Sequence, residues 1–230
     1  MPRERARIAV LASGGGSNLE ALLEHLERVG QRRGGDVVLV VSGRPTAGAL
    51  ERARRRGIAT HVCPPEGVGD ALRAHDANLV VLAGYLSLVP DDVTRSHQGR
   101  MLNVHPALLP AFGGKGLYGA RVHRAVLDAG ARVSGATVHF VDAHYDRGPI
   151  AAQWPVPVLD ADTPETLAAR VLRIEHLLLP RVVDAVARGV IHLADDGRVV
   201  GGFAPPSQAA FDLHTLDDAA LASRIDALTG

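Results

Sequence analysis

Three unbroken apolar runs, Ile8–Ala12, Val37–Val41 and Leu79–Ala83, are each five residues long. Runs this short and this rich in Val, Ile and Leu suit strands buried on both faces, and are too short for helices. Ala59–Cys63 and Met101–His105 read as two more short strands. Between the first runs lie amphipathic stretches. Leu19, Leu22, Leu23 and Leu26 recur at helical spacing within Leu19–Val29, and Ala47–Arg56 reads as an Arg-rich helix closed by Gly57. Strands alternating with helices predict an α/β fold: a mainly parallel, Rossmann-like sheet with helices on both faces and right-handed crossovers.

The C-terminal half changes style. Val133–Val141 and Ile150–Val158 are longer strands separated by the turn-like His144–Gly148, so antiparallel pairing is expected there. Pro164 opens a long amphipathic helix reaching about Arg188. Ile191–Val200 reads as a hairpin around Asp195-Asp196-Gly197. Beyond Pro205-Pro206 a tail carries a short helical pattern, Asp217–Leu228. No repeat interrupts this order, so one domain over 1–204 with a tail over 205–230 is expected.

Charge narrows the function classes. The 25 basic and 25 acidic side chains cancel, which argues against a nucleic-acid partner, since gripping that backbone needs a basic face. Cys63 is the only cysteine, so neither an internal disulfide nor a Cys-based metal site is expected. The basic N-terminus runs straight into a short strand and lacks the apolar core of a signal peptide. No apolar run is long enough to span a bilayer, so no membrane partner is expected and the chain reads as cytoplasmic. Lys115 is the only lysine.

The loop Ser13-Gly14-Gly15-Gly16-Ser17-Asn18 joins the first strand to the first helix. Glycine backbone N–H groups at a helix N-terminus suit an anion, and Ser17 or Asn18 is the expected N-cap. A dinucleotide fingerprint would end in Gly or Ala, but Leu19 stands there, and the second strand is followed by Ser42-Gly43-Arg44 rather than an acid. A single phosphate group suits the loop better. A tight turn holding no ligand remains the other reading.

Met101-Leu102-Asn103-Val104-His105-Pro106 ends the fifth strand. Alternation puts Asn103 and His105 on one face, at the sheet edge where open parallel sheets bind ligands. An amide and an imidazole side by side can both donate to an oxyanion. Asp146 lies in the turn after the sixth strand, where an Asp is ordinary. Folded against His105, it would favour the imidazolium and raise its pKa. None of the three is a Ser or Cys nucleophile, which favours direct group transfer.

In this order, Ile8–Leu19, Leu79–Leu86, Met101–Pro110, Gly135–Pro149 and Ala169–Pro180 resemble the phosphoribosylglycinamide formyltransferase family, from about residue 7 to residue 200. The His105–Pro110 segment with a downstream turn Asp is shared by folate-dependent formyl transferases generally; the glycine loop and Ile174-Glu175-His176 narrow the match. The resemblance implies attack by the amine of glycinamide ribonucleotide on 10-formyltetrahydrofolate, with no metal. Asn103 and His105 would stabilise the oxyanion, and Asp146 would hold His105 charged and manage the amine proton. Gly16, Ser17 and Asn18 would take the substrate phosphate and Glu175 would contact the rest of that substrate. Leu86, Ser87, Leu88, Val89 and Asp142 would line the folate pocket. A homodimer stays open.

Two departures stand out. Pro64–Asn78 is shorter than the family's usual connection and holds only Arg73, and Ser87 replaces a frequent arginine. Phe112–Gly119 is longer than the common version, and Lys115 within it is expected to supply compensating positive charge near an anionic ligand. The rivals are a formyltetrahydrofolate hydrolase, which carries an extra N-terminal domain, and methionyl-tRNA formyltransferase, which needs a basic C-terminal domain. A dinucleotide-dependent reductase would rest on Gly14, Gly16 and Arg44. A non-catalytic binding module is weakened by the complete trio.

Overall fold

Alternate residues of strand β1 (Ala6–Leu11) feed two separate cores. Ile8 and Val10 pack into one and Ala9 and Leu11 into the other, all four fully buried. That two-sided burial is why the first run reads as continuously apolar. The same holds for β2 (Gly35–Ser42) and β4 (Leu79–Leu82), whose residues divide between the two cores. The computed structural model describes residues 4–201 and 218–227.

Strands β1, β2, β3 (Ala59–Val62), β4 and β5 (Met101–His105) run parallel, while β6 (Val133–Phe140) and β7 (Ile150–Pro157) join antiparallel. The sheet order is β3-β2-β1-β4-β5-β6-β7. The expected fold class is therefore present. The strand order reverses between β1 and β4, and that reversal opens the crevice where such sheets bind ligands. The third strand departs from two-sided burial: β3 is an edge strand, and Val62 is 44% exposed.

Helix α1 (Ser17–Val29) and α2 (Gly48–Arg55) cover one face together with the long α6 (Pro164–Ala187). The other face is covered by α3 (Val68–Ala74) and α4 (Asp91–Ser96). These two, and α5 (Ala120–Asp128), were not among the helices expected from the sequence. Helix α6 starts as its sequence predicts. Thr163 and Thr166 form a reciprocal capping box and Pro164 occupies the first turn, where its missing N–H costs nothing.

A two-residue hairpin follows, β8 (His192–Leu193) with β9 (Val199–Val200), around the expected turn. In the tail, α7 (Asp218–Ala227) lies within the expected helical stretch, and its Leu221 and Ile225 are buried in the α1–α6 core. Pro205-Pro206 lies outside the described residues. Among the described residues, no helix is long and apolar enough to cross a membrane.

Candidate active site

Cross-strand pairing builds the site. In β5, Asn103 lies opposite His139 of β6, and His105 opposite Thr137. Opposed residues share a sheet face, so four polar side chains line up at the end of β5. Their alternate neighbours Val104, Val138 and Phe140 point into the α1–α6 core.

Thr137 is fully buried and fastens the chain after β5. Its hydroxyl donates to the Ala107 carbonyl (2.6 Å) and accepts from the Leu109 amide (3.0 Å). Gln153 of β7 donates to both Thr137 Oγ1 and the Leu109 carbonyl. The segment that follows His105 is thereby tied to the antiparallel hairpin.

Asp146 has φ +55°, a left-handed conformation that Asp tolerates better than most residues. That turn brings its carboxylate back to β5. Oδ2 accepts from the Gly114 amide at 2.9 Å and lies 3.5 Å from His105 Nδ1. Oδ1 lies 3.4 Å from Asn103 Nδ2 and 3.6 Å from His139 Nε2. Gly113 allows the loop to lie this close, since a Cβ there would sit 2.4 Å from Leu109 Cδ2 and 3.1 Å from Asp146 Cβ.

Tautomers follow from the partners, because a carbonyl only accepts. His139 Nδ1 faces the Phe140 carbonyl at 2.8 Å and carries the proton, leaving Nε2 to accept from Asn103 Nδ2 at 3.0 Å. His105 Nε2 faces the Phe112 carbonyl at 2.9 Å and likewise carries a proton. The carboxylate facing Nδ1 favours a second one.

Burial decides against that second proton. His105 is 3% exposed, and loss of solvation lowers its pKa below the usual imidazole value despite the opposing pull of Asp146 and the Phe112 carbonyl. The expectation of a raised His105 pKa is thus corrected: desolvation outweighs the carboxylate. For Asp146, burial alone would raise the pKa. The adjacent imidazoles of His139 and His105, in their charged forms, and the Gly114 amide that donates to Oδ2 more than offset it, and the carboxyl stays below its usual range.

A cavity of about 660 Å³ opens in front of this wall. It brings together Asn18, Leu86, Asn103, His105, Lys115, Asp146 and Glu175. A smaller recess beside it, sharing Asn103 and Asp146, takes Ser87, Leu88, Val89 and Asp142. Ser17 faces a different cavity, with Arg52 and His176.

The N-cap expectation is also corrected. Gly16, at φ +78°, is the N-cap of α1, while Ser17 and Asn18 are already helical. A Cβ on Gly16 would meet Ala49 Cα at 2.6 Å, so packing against α2 and backbone conformation both require glycine. Freed from capping, Asn18 donates to Glu175 Oε2 at 2.7 Å. Glu175 is 8% exposed, and burial pushes its pKa up to about 7, with the Asn18 bond opposing. Among the described residues, no group of three His, Cys, Asp or Glu could hold a metal ion.

The formyl transferase family model matches residues 6–183. The chain belongs to that family. Among similar formyl transferases is the chloroplastic phosphoribosylglycinamide formyltransferase of Arabidopsis thaliana, 46% identical over 204 residues, covering 84% of this chain and 69% of that protein. In structure, the chain is similar to phosphoribosylglycinamide formyltransferase from Anaplasma phagocytophilum, with TM-score 0.78 and 36% identity over 88% of this chain and 97% of that one. Glycinamide ribonucleotide transformylase 1 from Symbiobacterium toebii gives TM-score 0.78 and 38% identity, over 86% and 94%.

Sequence reasoning missed His139, Thr137 and Gln153. The alternation at the end of Val133–Phe140 was the available signal: Ala136, Val138 and Phe140 are apolar, and Thr137 and His139 fall on the other face, opposite His105 and Asn103. His123 of α5, buried with its pKa lowered by desolvation, also lines the formyl transferase cavity and carried no signal in sequence.

Proposed function

We infer that this protein transfers the formyl group of 10-formyltetrahydrofolate to the amine of glycinamide ribonucleotide. The observation that carries the reading is one cavity wall on which Asn103 and His105 each lie within about one hydrogen-bond shell of Asp146. Family membership and the named relatives support the same reaction.

The amine nitrogen attacks the formyl carbon and the carbonyl oxygen becomes an oxyanion. Asn103 Nδ2 has one short bond to His139 and one long contact to Asp146, so its second hydrogen is the one an oxyanion would draw. A negative charge forming beside His105 raises that imidazole's proton affinity against the desolvation penalty. Asp146, ionised at neutral pH, takes the proton of the attacking amine, directly or through water. When the C–N bond to the folate breaks, a proton returns to the leaving nitrogen, so protons balance.

The loop already occupies these contacts. The Phe112 carbonyl accepts from His105 as a formyl oxygen would, and the Gly114 amide donates to Asp146 as an amine would. Substrate therefore displaces Phe112–Gly114. Glu175 and Asn18 receive the ribonucleotide, with its phosphate toward Ser17 and the glycine loop around Gly16. Leu86, Ser87, Leu88, Val89 and Asp142 receive the folate. Lys115, which lines the cavity, supplies positive charge to an anionic ligand. The protein works as one catalytic domain over 1–204 with the tail over 205–230 appended.

An acceptor assay tests the function. 10-Formyltetrahydrofolate with glycinamide ribonucleotide should give formylated ribonucleotide, and water alone should give little formate. Formate release without formylated product would replace this reading by a hydrolase.

A further inference from the structure

A second cavity, of about 420 Å³, lies between α1, α6 and α7, and the formyl-transfer reading gives it no role. Its wall is almost wholly ionisable: Arg28, Arg32, Arg181, Arg188, His25, Asp184 and Asp226, with Val29 as the one apolar residue. Among the described residues four guanidiniums face two carboxylates, and both carboxylates are engaged. Asp184 accepts from the Gly34 amide at 2.7 Å and pairs with Arg188 at 3.0 Å, while Asp226 pairs with Arg181 at 2.5 Å.

The donors are in excess. Arg28 donates to His25 Nδ1 at 2.9 Å, so the His25 proton sits on Nε2, which is buried and has no partner among the described residues. His25 is held neutral, with its pKa lowered to about 4, first by burial and then by the positive charge of Arg181. Arg32 is exposed, and its side chain makes no hydrogen bond or ion pair among the described residues. Arg181 is 4% exposed, and the carboxylate it binds is delivered by α7 from beyond 201. A buried guanidinium of this kind needs an anion beside it.

We propose that this cleft is a binding site for a small anion carrying two linked phosphates. Guanidinium forks match phosphate oxygens two at a time, and the surplus of positive charge calls for more than one negative charge. Among the described residues no aromatic side chain lines the cleft, so the phosphates rather than an attached base are what it recognises. The competing account is that Arg28 and Arg188 only complement the C-terminal ends of α1 and α6. It leaves Arg32, whose side chain has no hydrogen bond or ion pair among the described residues, without a reason to face the same space.

The test titrates the full chain with inorganic pyrophosphate by calorimetry at low salt, comparing wild type with Arg28→Gln/Arg32→Gln. Both arginines are exposed, so the variant should keep the wild-type melting temperature and formyl-transfer kinetics. The expected result is saturable binding weakened at least tenfold in the variant. No saturable binding to wild type overturns the proposal. Equal affinity in the two proteins also overturns it, because the anion then sits elsewhere, as at the glycine loop.

Discussion

The two walls of the main cavity are built differently. One is made of strand residues: Asn103 and His105 on β5, braced by His139 and Thr137 on β6. The other is the loop Phe112–Gly119, which touches the same groups only through backbone, by the Phe112 carbonyl and the Gly114 amide. Side chains fixed by a sheet keep their geometry through a reaction. Backbone contacts from a glycine-rich loop are released more readily, and in this loop only the Phe112 side chain at its start packs against the core. The difference assigns chemistry to the strands and access to the loop.

Changes on the strand wall should then act on turnover, and changes on the loop wall on binding. The largest expected effect is from His105→Ala. Loss of an oxyanion donor and proton-handling group should lower kcat by about 10³-fold with little change in KM, read by steady-state formyl transfer. A rise confined to KM would move His105 from chemistry to binding.

Thr137→Val should come next. It removes the hydroxyl that ties the Ala107–Leu109 backbone to β6, leaving the Ala107 carbonyl and Leu109 amide unsatisfied. A cost of about 1–3 kcal/mol in stability is expected by denaturant unfolding, with roughly tenfold loss of kcat. Thr137→Ser keeps the hydroxyl and should restore kcat. Failure of that rescue would assign the effect to packing instead of to strand-held geometry.

Glu175 sharpens the comparison through pH. Its pKa is raised from an unfolded value near 4.5 to about 7, so the folded protein holds its proton more tightly. The stability this supplies is complete below the unfolded pKa and is lost as pH rises through the folded one. Unfolding free energy should therefore fall between about pH 4.5 and 7, and Glu175→Gln should flatten that slope. If the ionised form binds ribonucleotide, KM for that substrate should rise as pH drops below about 7 while kcat changes less. A KM independent of pH over that range would remove Glu175 from binding.

The smallest effect belongs to the loop. Lys115→Ala should raise KM for one anionic substrate by about tenfold or less and leave kcat intact, the scale of a partly solvated charge contact. Unchanged KM for both substrates would reduce Lys115 to a solvated loop charge.

The sequence was most legible where one physical demand governs each residue. Ile8–Ala12 and Leu79–Ala83 had to be apolar on both faces, and Met101–His105 matched the fifth strand to the residue. Asn103 and His105 could be placed side by side from strand period alone. Asp146 could not, because its approach to β5 depends on a left-handed turn and on Gly113, neither visible in a pattern. His139 and Thr137 were hidden because cross-strand register joins residues more than 30 positions apart. The His105 pKa went the other way because burial, the deciding quantity, exists only in the folded chain.

The central claim is that an ionised carboxylate delivered by the turn works with the strand-held imidazole. Asp146→Asn keeps the size of the side chain and removes its charge, and its kcat for formyl transfer, measured beside its circular dichroism and melting temperature, tests that claim most directly. The account predicts an unchanged fold with turnover reduced by about 10³-fold. Turnover near wild type in a folded Asp146→Asn protein would contradict it.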